Sequence, residues 1–154
     1  MIRDYDNITP GERTGADFGL LVLRLVFGLY FVIAGIHKVS GGTGNFVKFS
    51  SDFLPSFMPT AIGKGYLYAV PWLEILVGLG IMLGLLTALS SLIATLMLIS
   101  FTIAVTGIKS NPPGGPFSTN LVFIAVTFAL MMIGPGRLSA DAIRFEKLKR
   151  ELDD

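Results

Sequence analysis

Tyr66-Leu67-Tyr68-Ala69-Val70-Pro71-Trp72-Leu73-Glu74-Ile75-Leu76-Val77-Gly78-Leu79 decides the fold of this chain. It is apolar enough to lie in a bilayer and carries a single carboxylate, Glu74, near its middle. A charge at that depth costs about 2.5–3.5 kcal/mol on insertion scales, so it faces a protein interior, a partner charge or a wet cavity. One other charge stands inside an apolar segment, Arg24. These two are expected to share one intramembrane site, enclosed by the surrounding helices.

The composition around this stretch is that of an integral membrane protein. Of 154 residues, 52% are hydrophobic and only 15% charged; a soluble domain carries about a quarter charged. The length suits one domain. A net charge of +1 offers no basic surface for nucleic acid. The absence of cysteine excludes thiolate catalysis, disulfide exchange, iron–sulfur ligation and zinc–thiolate sites. A single histidine excludes a bis-His haem built by one chain. Arg3, Asp4, Asp6, Glu12, Arg13 and Asp17 precede the first apolar run, which is not the order of a secretory signal.

Apolar segments predict spans at about 18–36, 66–85, 88–108 and 119–133, each set against the ~20 residues that a bilayer core needs. The expected fold is all-α: an integral membrane four-helix bundle with short interfacial helices. Residues 1–17 read as an N-terminal tail broken at Pro10-Gly11, 18–137 as the membrane domain, and 138–154 as an amphipathic tail helix with Ser139 as N-cap. Phe46, Phe49, Phe53 and Phe57 recur at helical spacing after Gly41-Gly42-Thr43-Gly44. They predict a short interfacial helix, or a lid over the bundle mouth. Pro71 kinks the second span close to Glu74. Gly107 to Ser118 is a predicted loop. Arg3, Arg13, Arg137, Arg144, Lys147, Lys149 and Arg150 outnumber Lys38, Lys48, Lys64 and Lys109 on the opposite side, which predicts cytoplasmic termini.

Glu74, Arg24, His37 and Lys38 are the candidates for proton or substrate chemistry. Tyr68, Trp72 and Glu74 are the candidates for holding a flat ring. Arg24 and Glu74 enter from opposite membrane faces at depths about 9 Å apart, within the span of an arginine and a water. Each residue also has a plainer reading. Arg24 and Glu74 serve as a register lock, Lys38 as a snorkelling anchor, His37 as an interfacial polar group, and Tyr66, Tyr68 and Trp72 as belt anchors. The heptads Leu23-Arg24-Leu25-Val26-Phe27-Gly28-Leu29 and Leu73-Glu74-Ile75-Leu76-Val77-Gly78-Leu79 echo one another, each charge followed by a glycine one turn on. Such glycines let helices approach closely. The sequence has no metal-ligand cluster, nucleotide loop or nucleophile triad, which argues against a self-contained enzyme.

Leu23-Arg24-Leu25-Val26-Phe27-Gly28 through Ala34-Gly35-Ile36-His37-Lys38, then Pro71-Trp72-Leu73-Glu74-Ile75-Leu76-Val77-Gly78-Leu79 and Leu83-Gly84-Leu85-Leu86-Thr87, and finally Gly134-Pro135-Gly136-Arg137-Leu138-Ser139-Ala140-Asp141 resemble the DoxX family. The likeness covers about residues 18–142 in the same order. It implies a small four-helix protein of the prokaryotic plasma membrane. Some relatives resemble the membrane subunit of a thiosulfate:quinone oxidoreductase, and others are linked to oxidative-stress membrane complexes. The resemblance points to Arg24, Lys38, Glu74 and Arg137. It implies no built-in cofactor and leaves room for a quinone. The implied partners are the bilayer, other oxidoreductase subunits and further copies of the chain. The competing readings are a proton-coupled carrier using Glu74 and a purely structural membrane subunit.

Overall fold

The computed structural model describes the backbone of residues 10–108 and 119–153, with side chains from 14 to 103 and 120 to 152. Residues 109–118 of the expected loop and the charges of Arg3, Arg13 and Lys109 lie outside the described residues, while Gly107 and Ile108 end the fourth helix rather than open the loop. Among these residues the fold is all-α, with six α-helices. They are α1 (Pro10–Ser40), α2 (Thr43–Ser50), α3 (Thr60–Leu83), α4 (Thr87–Ile108), α5 (Thr119–Ile133) and α6 (Ala140–Asp153). A 3-10 turn, Ser51–Phe53, extends α2. Two helices are long and apolar enough to cross a membrane, Thr14–Ser40 and Thr60–Leu83. Thr87–Ile103 and Asn120–Ile133 are shorter apolar helices. Leu25, Val26, Leu29, Ile33, Leu76 and Leu83 turn outward, an apolar exterior that matches lipid rather than water. The chain is an integral membrane protein.

α1 begins at Pro10, upstream of the expected span at Phe18. Proline suits a first helical turn, because its missing N–H has no partner there in any case. Pro10-Gly11 therefore starts a helix where a break was expected, and residues 10–17 are helical rather than tail. Pro71 does not interrupt α3 either.

α1 and α3 lie antiparallel in the closest helix contact of the molecule. Gly28 meets Gly78 and Met82, and Gly35 meets the Pro71 carbonyl and Ile75. A methyl group on Gly78 would stand 2.6 Å from the Gly28 carbonyl oxygen and 2.8 Å from the Val32 nitrogen. In lipid, helix association rests on such packing more than on hydrophobic exclusion. Phe31, Val77, Ile81, Ala94, Leu98 and Leu130 form a buried core that joins these helices to α4 and α5. Phe123 of α5 adds edge-to-face contacts to Phe27 (5.0 Å) and Tyr30 (4.3 Å) of α1. The buried hydroxyls of Thr95 and Thr127 bond across α4 and α5 at 2.8 Å.

The α3–α4 turn is tight, as its lack of charge suggests. Gly84 ends α3 in the left-handed region (φ +65), and Leu85 N–H closes back on the Gly80 carbonyl at 2.9 Å. The segment 134–141 straps this turn to the start of α1. Asp141 accepts bonds from the Leu86 N–H (2.8 Å), the Thr87 N–H (2.9 Å) and the Thr87 hydroxyl (3.0 Å), capping α4 from a distant part of the chain. Ser139 caps α6 through the Ala142 N–H at 3.1 Å, as its place before the tail helix predicts.

Partial burial pushes the Asp141 carboxyl up, but the Thr87 and Leu86 bonds and nearby Arg144 outweigh it and hold its pKa below the ordinary value. A depressed folded-state pKa stabilises above the unfolded value, about 3.9, and that contribution disappears as pH falls through the folded value. Asp141→Ala is expected to cost about 1–2 kcal/mol at neutral pH, the range for losing a cap. The gap from the parent should narrow in acid, as pH falls through the depressed folded-state value. Thermal unfolding in detergent at neutral and acid pH checks this; an unchanged gap would refute it.

Candidate functional site

The glycine crossing decides where the two intramembrane charges go. Gly28 lies one turn after Arg24, and Gly78 one turn after Glu74. Because α1 and α3 run antiparallel with these glycines in contact, the charges fall on opposite sides of the crossing, about 12 Å apart along the axis. Arg24 and Glu74 therefore do not form the shared site expected from the sequence.

Glu74 pairs with Lys38 instead. The ammonium bonds both carboxylate oxygens, with Oε2 at 2.6 Å. Glu74 is 3% exposed and the Lys38 side chain 26%. The reach of Lys38 has a simple cause. Helical side chains lean toward the N-terminus, so Lys38 at the end of α1 folds back over Gly35, whose missing side chain brings the backbone against Glu74. Lys38 also stands over the rings of Phe46 (5.4 Å) and Phe101 (5.9 Å).

Beside this pair lies an apolar cavity of about 410 Å³. Phe46, Phe49, Phe53 and Met58 cover it from α2 and the segment after it, with Leu67 and Phe101 on the α3 and α4 side. The predicted aromatic helix thus forms the cover of a cavity. Gly63 makes that cover close-fitting, since a methyl group there would stand 2.7 Å from Leu54. Lys38 enters the wall, and so do Tyr66 and Ser100, whose hydroxyls bond at 2.7 Å. Tyr68 and Trp72, the expected ring-holding residues, are 50% and 55% exposed on the outer face of α3 and do not line the cavity. Tyr66, two residues before Tyr68, lines it instead. Ser100 carried no sequence signal, being one hydroxyl in an apolar run.

Arg24 serves the opposite end. It is fully buried and donates through Nη2 to the Leu138 carbonyl, pinning the 134–141 strap. Gly84 makes the space, since a side chain there would collide with the guanidinium. A cation beside the C-terminal end of α3 also suits the helix dipole. His37 is exposed at the end of α1. Arg137 is exposed too, and its N–H bonds Asp17 at 3.0 Å. Neither reaches the cavity, and no group of acidic residues and histidine among the described residues could hold a metal.

A family model, DoxX, matches residues 19–107, which include every residue lining the cavity. The chain belongs to the DoxX family. It is also similar to "Putative oxidoreductase CatD" of Bacillus subtilis (strain 168), at 28% identity over 134 residues, covering 86% of this chain and 92% of CatD. No solved structure matches. The DoxX match takes in Arg24, Lys38 and Glu74 and stops short of the strap that Arg24 holds.

Proposed function

We propose that this DoxX protein is a membrane subunit of a redox complex and binds the head group of a quinone in the cavity beside Lys38 and Glu74. The four apolar helices α1, α3, α4 and α5 form the membrane bundle on this reading, with both termini cytoplasmic and the chain in a prokaryotic plasma membrane. The observation that carries it is the meeting of a buried ion pair with an aromatic-lined, otherwise apolar cavity. Cavities of this kind, apolar with a few placed polar groups, are what ring-bearing ligands occupy. Lys38 has three N–H donors and spends two on the Glu74 carboxylate, which leaves one for a ligand oxygen. The oxidoreductase name of CatD fits this reading. Electrons would come from a partner subunit, since the chain is not a self-contained enzyme on this view.

The test is titration of the nanodisc-embedded protein with decylubiquinone. Saturable binding of one molecule per chain is expected, and Glu74→Gln should fold yet bind about tenfold more weakly, because it loosens the grip on Lys38. No saturable binding of decylubiquinone or of its reduced form by the parent protein would refute the reading.

A further inference from the structure

Tyr66 and Ser100 place a second polar point in the cavity wall, on different helices from Lys38. Proton counting fixes how it is set. The Ser100 hydroxyl has one proton, and its oxygen lies 2.7 Å from the Met97 carbonyl, which can only accept. The arrangement that satisfies both contacts is Tyr66 O–H to Ser100 Oγ and Ser100 O–H to the Met97 carbonyl. The Tyr66 proton is then spent inside the protein. Its oxygen keeps lone-pair capacity, so toward a ligand Tyr66 accepts. Lys38, across the wall on α1, only donates.

We propose that Tyr66 and Ser100 set which redox form the cavity prefers, and that they favour the ring bearing a hydroxyl, the quinol, over the quinone. A quinol hydroxyl can donate to Tyr66 with no protein bond broken. A quinone carbonyl can only accept, so it meets Tyr66 productively only if the bond to Ser100 is given up. Both forms can take the free N–H of Lys38. This inference rests on the quinone reading above and adds its direction.

The experiment compares three probes on the same nanodisc protein: decylubiquinol kept reduced under argon, decylubiquinone, and the quinol's dimethyl ether, which has no O–H to donate. The parent should bind the quinol most tightly. Tyr66→Phe should weaken the quinol about tenfold, the worth of one hydrogen bond, and change the ether less than threefold. Ser100→Ala should act the other way. It frees the Tyr66 proton, so quinone should gain on quinol by a similar factor. A tyrosine that merely ties α3 to α4 would lower the melting temperature and move all three affinities together, and that result would overturn the proposal. So would an unchanged quinone-to-quinol ratio in Ser100→Ala, which remains readable if Tyr66→Phe fails to fold. A parent that binds the quinone and shows no preference defeats this inference alone; a parent that binds none of the probes defeats the quinone reading with it.

Discussion

Lys38→Met is expected to destabilise the protein by about 3–5 kcal/mol, the cost of leaving a buried charge without its partner. Among the described residues Glu74 has no other cation beside it, since Arg24 lies across the glycine crossing and donates to Leu138. The carboxylate is 3% exposed and cannot turn to water. The double variant Lys38→Met, Glu74→Met should recover most of the loss, because two apolar side chains of similar volume remove the desolvation cost together with the attraction. The matching control is Arg24→Met combined with Glu74→Met, which should show no recovery. Thermal unfolding in detergent of the parent, the single variants Lys38→Met, Arg24→Met and Glu74→Met, and the two double variants measures the coupling. Equal losses in Lys38→Met and the Lys38–Glu74 double variant would show that the pair is not an energetic unit. A double variant that is stable yet binds no quinone would separate the pair's role in the site from its role in the fold.

Gly78→Val is expected to abolish the folded state. A branched side chain there meets backbone on both sides, the Gly28 carbonyl and the Val32 N–H, and backbone cannot rotate away as a side chain can. Overpacking against movable side chains costs about 1–3 kcal/mol; against rigid backbone at the main helix contact the loss should exceed that range. Gly78→Ala should fall between the two. Gly65→Ala is the control on the same helix, since no atom lies within 4 Å of the added methyl group. Replacing an exposed helical glycine by alanine stabilises by up to about 1 kcal/mol. Monodisperse elution after detergent extraction reads all three. A folded Gly78→Val protein would mean that α1 and α3 do not meet along this glycine row.

The rotation of α3 explains why some candidate residues reached the cavity and others did not. Tyr66 and Tyr68 differ by two positions, which turns them to different sides of the helix. The first lines the cavity and the second faces outward. Nothing in the local sequence ranks one above the other, because both sit in the same apolar run. Lys38 was legible as a candidate charge at the end of a span, with a snorkelling anchor as its plainer reading, but not as the partner of Glu74. Its pairing with Glu74 depends on where the α1–α3 crossing falls.

The sequence by itself determined the class and the helices. Long apolar runs interrupted by Gly41-Gly42, Gly84 and Gly134-Pro135-Gly136 can satisfy their backbone in lipid only as helices, and turn residues set where those helices stop. It also marked Glu74 and Arg24 as costly charges that must be enclosed, because that cost depends on the residue and its depth and not on its neighbours. Only the tertiary structure decided which partner each one takes. Partner choice turns on helix direction and axial register, and the Gly28–Gly78 contact fixes both. An antiparallel crossing through two glycines, each one turn after its charge, must drive those charges apart. Glu74 is thereby left to Lys38 and the cavity, and Arg24 to the strap that closes the other end.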